Sequence, residues 1–381
     1  MAEEVVLRGR VVLPDQELED GQVVLRDGRV TDVGTYQGRP VTVHWRDGWI
    51  GPGLVDAHIH GIRGADTMDA EMGAFETMDE ALASVGCTTY LATTMSAAMP
   101  ALTSVAKTLA AFLDAHPESG AVGVHMEGPY IHLERIGAQR ADAVRPPSWD
   151  EMAALWEILG NRLRRITLAP ELPGARPFIE RAKLAGILVS FGHSNATYDE
   201  AQAGFRMGVD QVTHLFNAMP PLHHREPGLV GAALTHSSVA VEVICDGIHL
   251  SPDVVRLVAR LKGPDHLMLV TDAMRATLLA DGTYDLGGQT VTVNHGVART
   301  QAGGLAGSTL TLLRAVLNYQ RFTACSLSEA VKAASLIPAR TLGLWDRGGL
   351  WPGYRADVIL VDEAGQNRMT WRQGQVIFDG R

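Results

Sequence analysis

Gly53-Leu-Val-Asp-Ala-His58-Ile-His60-Gly61 is the stretch whose reading decides the fold. Apolar residues run into two histidines one position apart, and the run stops at a glycine. Side chains at i and i+2 of an extended strand leave the same face. His58 and His60 therefore point together while Ile59 packs the other way. Two imidazoles converging at a strand end are what a divalent metal needs from its first two ligands. Taken alone, the pair reads first as two hydrogen-bonded histidines in a buried strand, since short motifs recur by chance. Repetition of the pattern further along changes that reading.

Beyond this stretch, apolar runs alternate with helical segments, the mark of parallel βα units. Strands are predicted over Leu54–His60, Thr88–Thr93, Ala121–Met126, Ile166–Pro170, Ile187–His193, Gln211–Phe216, Val239–Cys245 and His266–Thr271. Helices are predicted over Ala101–Ala115, Trp149–Leu159, Phe178–Ala185, Tyr198–Met207, Pro252–Leu261, Leu310–Phe322 and Ser328–Ala334. Such a run of repeats predicts an α/β chain with a (β/α)8 TIM barrel over residues 52–344. Residues 1–51 and 345–381 instead carry short alternating strands, with Asp27-Gly28 as a hairpin signal. Neither end can bury its apolar face alone. The two are expected to build one small β-sandwich domain jointly, with the barrel inserted between them.

Barrels of this kind do their chemistry at the C-terminal ends of the strands. Those ends read His58 and His60, then Glu127 in His125-Met-Glu-Gly-Pro129, then His193 in Gly192-His-Ser194. His214 follows in Thr213-His-Leu-Phe-Asn217, then Asp246-Gly-Ile-His249, and finally Asp272 in Thr271-Asp-Ala273. Any one of these alone reads as a satisfied core polar group. Gathered on one rim they are poorly explained by structural need, because buried polar groups left unpaired are costly. A metal-dependent hydrolase site explains them with one cause.

On these residues the chain resembles the amidohydrolase superfamily and, over essentially its whole length, the N-acetylglucosamine-6-phosphate deacetylase family within it. His-x-His is shared across the superfamily. More specific are Thr213-His-Leu-Phe-Asn-Ala-Met-Pro220, Arg225-Glu-Pro-Gly228, Asp246-Gly-Ile-His249, Val270-Thr-Asp-Ala-Met274 and Leu305-Ala-Gly-Ser308. The resemblance implies that Glu127, His193 and His214 hold a principal divalent metal. It implies that His58 and His60, with Glu127 as a bridge, hold a second, with zinc the first choice and iron or manganese the alternatives. Asp272 would be the catalytic general acid/base. Asn217, Ala218, Arg225 and His249 would bind a sugar phosphate, Arg225 crossing from the other subunit of a homodimer. Leu305, Ala306 and Gly307 would line the sugar and acetyl pocket, together with Ala138 and Gln139.

The implied reaction is hydrolysis of N-acetyl-D-glucosamine 6-phosphate to D-glucosamine 6-phosphate and acetate, with N-acetylgalactosamine 6-phosphate as the alternative substrate. An arginine suits a phosphate because its planar fork offers parallel donors. One departure stands out: Ile136-Gly-Ala-Gln139 occupies the place where many members carry Lys-Gly-Ala-His. A glutamine NH2 can donate to an oxyanion, but it brings no positive charge. The run Arg275-Ala-Thr-Leu-Leu279 also lacks the small residues usual there.

Rival readings fit less well. Dihydroorotase-like relatives bridge their metals with a carboxylated lysine from the fourth strand, and here that strand ends Leu168-Ala-Pro-Glu171. Adenosine deaminase-like relatives lack the Arg-Glu-Pro-Gly block. A barrel demoted to a binding module would have lost ligands, and none is missing. A net charge of −10 argues against nucleic acid as a generic partner. No apolar run is long enough to span a membrane. The start, Met1-Ala-Glu-Glu-Val-Val-Leu-Arg8, has acids where a signal peptide has bases, so a cytoplasmic enzyme is expected. Cys87, Cys245 and Cys325 are far apart in apolar surroundings and read as reduced core thiols.

Overall fold

A computed structural model describes residues 4–381. The eight expected apolar runs form one parallel sheet in consecutive order. Its strands are β1 (Leu54–Ile59), β2 (Cys87–Thr94), β3 (Ala121–Glu127) and β4 (Leu163–Leu168). β5 (Leu188–Phe191), β6 (Gln211–Val212), β7 (Ala240–Ile244) and β8 (Leu267–Val270) complete it. The sheet closes on itself just past β8. There the Asp272 N–H donates to the His58 carbonyl and the His60 N–H to the Ala273 carbonyl, each at 2.9 Å. Helices cover the outer face, so strands such as β2 are buried along their whole length.

Local chemistry sets the helix starts. Ser148 caps Trp149–Leu159, and Ser251 caps Pro252–Lys262, where Pro252 takes a first-turn position that needs no N–H. Capping boxes Thr197/Glu200 and Ser326/Glu329 open Tyr198–Arg206 and Leu327–Ala333. Helices Met72–Ser84, Gly228–Thr235 and Leu336–Thr341 go beyond those predicted from sequence.

Both chain ends enter one seven-stranded sheet. Its order is Gln375–Asp379, Asn367–Arg372, Val358–Asp362, Val43–Pro52, Val5–Val12, Glu17–Arg26 and Arg29–Thr35. Only the Val5–Val12 and Val43–Pro52 pair is parallel. Asp27 and Gly28 both have positive φ, 50° and 73°, as the tight hairpin turn between the last two strands requires. Leu7, Val11, Leu25, Ile50, Val358 and Trp371 form the sheet's own buried cluster.

One element was not expected. Gly282–Leu286, Gln289–Asn294 and Val297–Thr300 make a three-stranded antiparallel sheet between β8 and the helix Leu312–Thr323. Leu286, Val291 and Ala298 from this sheet pack with Met95 and Met274 beside the C-terminal mouth of the barrel. Among the described residues, no helix is long and apolar enough to cross a membrane.

Candidate active site

The expected rim residues converge, but most of them lie just beyond the strand ends. β5 stops at Phe191 and β6 at Val212, short of the predicted His193 and Phe216. Past those points the backbone turns left-handed: φ is 51° at His193, 28° at His214, 76° at Phe216 and 48° at Asp272. Such conformations in non-glycine residues are costly and persist where the surroundings enforce them, commonly at functional sites. They turn the side chains inward over the barrel mouth.

Two groups of donors result: Glu127, His193 and His214 in one, His58, His60 and Asp272 in the other. Within each, one donor atom per residue lies within 4.8 Å of the others. Glu127 Oε1 stands 3.1 Å from His193 Nε2 and 2.9 Å from His214 Nε2. The same carboxylate joins the groups, 3.5 Å from His58 Nε2 through Oε1 and 3.3 Å from His60 Nε2 through Oε2. Asp272 Oδ1 is 3.1 Å from His60 Nε2 and 3.5 Å from His58 Nε2.

All four histidines thus turn Nε2 to the centre. For three of them the other nitrogen explains why, whereas among the described residues the buried His214 Nδ1 has no hydrogen-bond partner. His60 Nδ1 faces the Thr93 carbonyl at 3.2 Å and His193 Nδ1 the Arg135 carbonyl at 2.7 Å. His58 Nδ1 meets Glu242 at 3.0 Å. A ring whose Nδ1–H is donated away presents a lone pair on Nε2. Among the described residues the buried His58 Nε2 has no hydrogen-bond partner.

Electrostatics agree. Burial disfavours charge on His60, yet the Asp272 and Glu127 carboxylates prevail and carry it up to about 9. His58 is also raised well above its ordinary value, against burial, by Glu127, Glu242 and Asp272. The pull of the carboxylates for positive charge and the inward Nε2 atoms together suit a divalent cation with His and carboxylate ligands.

The groups open on a cavity of about 290 Å³. His60, Glu127, His193, His214 and Asp272 line it, with Ala138, Gln139, Asn217, Ala218, His249, Leu305 and Gly307. His249 is aimed by Asp246, which accepts from its Nδ1 at 2.6 Å and from its backbone N–H at 2.8 Å. Gln139 has a more constrained place than a simple donor. Its Oε1 accepts from the Ser96 N–H and its Nε2 donates to Glu127 Oε2, both at 2.6 Å.

Two expected residues stand apart. Ala306 is wholly buried and packs in the cluster behind the cavity with Met95 and Met274, so only its neighbours Leu305 and Gly307 face the ligand space. Arg225 is exposed on the loop after Pro221, 2.7 Å from His224 Nε2, and does not line the cavity of its own chain. His223 and His224 are exposed beside it. Cys87 and Cys245 are buried free thiols, and Cys325 is half-buried. Met95, Leu286 and Gly304 line the cavity without having been anticipated.

Fold and rim together define a class: a (β/α)8 barrel whose strand ends carry histidine and carboxylate groups able to hold a metal. The chain belongs to the amidohydrolase family, whose model matches residues 49–377. It is 39% identical over 327 residues to N-acetylglucosamine-6-phosphate deacetylase of Lysinibacillus sphaericus, covering 85% of this chain and 84% of that one. It is 36% identical over 375 residues to N-acetylgalactosamine-6-phosphate deacetylase of Escherichia coli O157:H7, covering 97% and 98%. A variant N-acetyl-D-glucosamine-6-phosphate deacetylase from Mycobacterium smegmatis, solved in complex with N-acetyl-D-glucosamine 6-phosphate, superposes with a TM-score of 0.95. It is 32% identical and covers 98% of this chain and 99% of that one.

Proposed function

We propose that this chain hydrolyses N-acetyl-D-glucosamine 6-phosphate to D-glucosamine 6-phosphate and acetate with the help of a divalent metal. The convergence of the two donor groups on one monosaccharide-sized cavity carries the reading, and kinship to deacetylases of such phosphosugars supports it. Glu127, His193 and His214 would hold the principal metal, and His58 and His60, sharing Glu127, a second. Zinc suits this donor set best, and iron or manganese would also be accepted. A bound divalent ion supplies Lewis acidity, polarising an amide carbonyl and acidifying water.

The chain's own residues do the rest. Burial alone would raise the Asp272 pKa, but His58 and His60 outweigh it and keep the carboxyl below its ordinary range. Asp272 is therefore an anion at neutral pH, facing the cavity. It takes the proton of the attacking water and returns it to the departing amine nitrogen. Gln139 keeps one N–H on Glu127 and has a second to offer the carbonyl oxygen. Asn217, Ala218 and His249 form the wall for the phosphate, completed in a homodimer by Arg225 of the partner subunit. Leu305 and Gly307 face the sugar.

Acetate release from N-acetylglucosamine 6-phosphate, N-acetylgalactosamine 6-phosphate and unphosphorylated N-acetylglucosamine tests this directly. The first should be turned over fastest and the last hardly at all. Equal rates on the last would overturn the phosphosugar reading, and a preference for the second would move the assignment to the galactosamine series. Removing metal with a chelator should abolish turnover, and zinc should restore it. Asp272→Asn should lower kcat by about 10²–10⁴-fold, the usual worth of a general acid/base, in protein that still carries metal on Glu127, His193 and His214.

A further inference from the structure

Beneath the rim lies a charge pair that the reaction chemistry does not use. Glu242 of β7 and Arg165 of β4 are both wholly buried inside the barrel, and the Arg165 guanidinium donates to Glu242 Oε1. Barrel interiors are ordinarily filled by branched apolar side chains. A buried ion pair adds little to stability, and well-packed apolar residues often do better in its place. Stability therefore does not account for this pair. Its contacts do. Glu242 Oε2 accepts from His58 Nδ1 and from the backbone N–H of His214, each at 3.0 Å. One carboxylate oxygen thus touches a member of each donor group, one through its ring and one through its main chain.

We propose that Glu242, held in place by Arg165, is the positioning residue of the metal centre: it orients the His58 imidazole and anchors the left-handed turn that presents His214. This rests on reading the site as a metal centre, but not on the identity of the substrate. Donation of Nδ1–H to a carboxylate fixes the tautomer and makes Nε2 a stronger ligand than donation to a neutral carbonyl does. His60 and His193 have only carbonyl acceptors, from Thr93 and Arg135. His58 alone of the four is given a charged partner. Arg165 occupies the other carboxylate oxygen, Oε1, so that both oxygens of Glu242 are held by named partners.

Two variants test the proposal. Glu242→Gln with Arg165→Gln removes both charges together, so that neither is left buried and alone. Glu242→Asp keeps both charges inside the barrel but draws the carboxylate back by one methylene, away from His58. The measurements are zinc per subunit after dialysis and zinc affinity by competition with a chromophoric chelator, alongside thermal melting of the metal-free proteins. Both variants should melt close to the parent yet bind zinc about 10- to 100-fold more weakly, the usual effect of removing such a partner. kcat on N-acetylglucosamine 6-phosphate should fall with little change in KM, and excess zinc should recover part of it. Unchanged zinc affinity in either folded variant overturns the proposal. Failure of both to fold overturns it too, because the pair would then be a requirement of the barrel itself. A parent protein that binds zinc but releases no acetate would refute the substrate reading and leave this one standing.

Discussion

Gln139 shows how much a single residue's role depends on its neighbours. From sequence it stands where many relatives carry histidine, and it reads as a weaker donor to the substrate carbonyl. In the structure the Ser96 N–H, which can only donate, selects the amide oxygen, so the NH2 must face Glu127. The glutamine therefore aims the carboxylate shared by both donor groups. Hydrogen bonds to charged groups are worth roughly 1.5–3 kcal/mol, so Gln139→Ala should lower kcat about tenfold or more. Gln139→Glu is nearly isosteric but puts a second carboxylate against Glu127, where like charges disfavour each other. It should be worse than alanine, in both kcat and zinc content. A glutamate variant better than the alanine variant would mean that Gln139 only fills space.

At the scale of elements, the three-stranded sheet over residues 282–300 goes beyond the strands predicted above, although its signals are present in the sequence. Gln289-Thr-Val-Thr-Val-Asn294 alternates with period two, and Gly287-Gly288 is a hairpin turn with φ of 58° and 85°. The sheet is a short insertion in an otherwise regular βα rhythm. Its placement matters to the site, since Leu286 lines the cavity and Gly287 packs under Met95, which also lines it. A Cβ on Gly287 would meet Met95 Cγ at 2.9 Å, in a left-handed backbone that alone costs about 1–2 kcal/mol for a non-glycine residue. Gly287→Ala should therefore press Met95 into the cavity and raise KM severalfold while zinc content stays unchanged. Loss of zinc in that variant would show that the insertion supports the donor groups as well as the cavity wall.

At the scale of the whole molecule, the position of Arg225 is the informative fact. It is exposed and outside its own cavity, as a residue serving a neighbouring subunit would be. Arg225→Ala and Asp272→Asn proteins should each be nearly inactive on the phosphosugar. Mixed under conditions of subunit exchange, they should regain about a quarter of parental activity. Half of randomly formed C2 dimers are hybrids, and each hybrid has one site with both residues intact. No recovery in a mixture shown, by co-purification of two differently tagged variants, to contain hybrids would place Arg225 in its own chain's site.

Much of this protein was legible because its information is local. Apolar runs of strand length, capping residues and turn dipeptides act over a few neighbours, so all eight barrel strands and the Asp27-Gly28 hairpin could be read from the sequence. The rim histidines, Glu127 and Asp272 could be read as well, because a polar residue at the end of an apolar run has one place to go. Strand ends at Phe191 and Val212 could not, since the left-handed turns at His193 and His214 are held by groups far along the chain. Glu242 stands as a charge inside the apolar run Val239–Cys245, which signals a buried partner without naming it, whereas Arg165 falls just before the predicted strand Ile166–Pro170 and joins it only in the structure. The partner lies 77 residues away, and only closure of the barrel brings the two together against His58. Burial makes that contact decisive, because a charge removed from water must find its counterpart wherever the fold puts it.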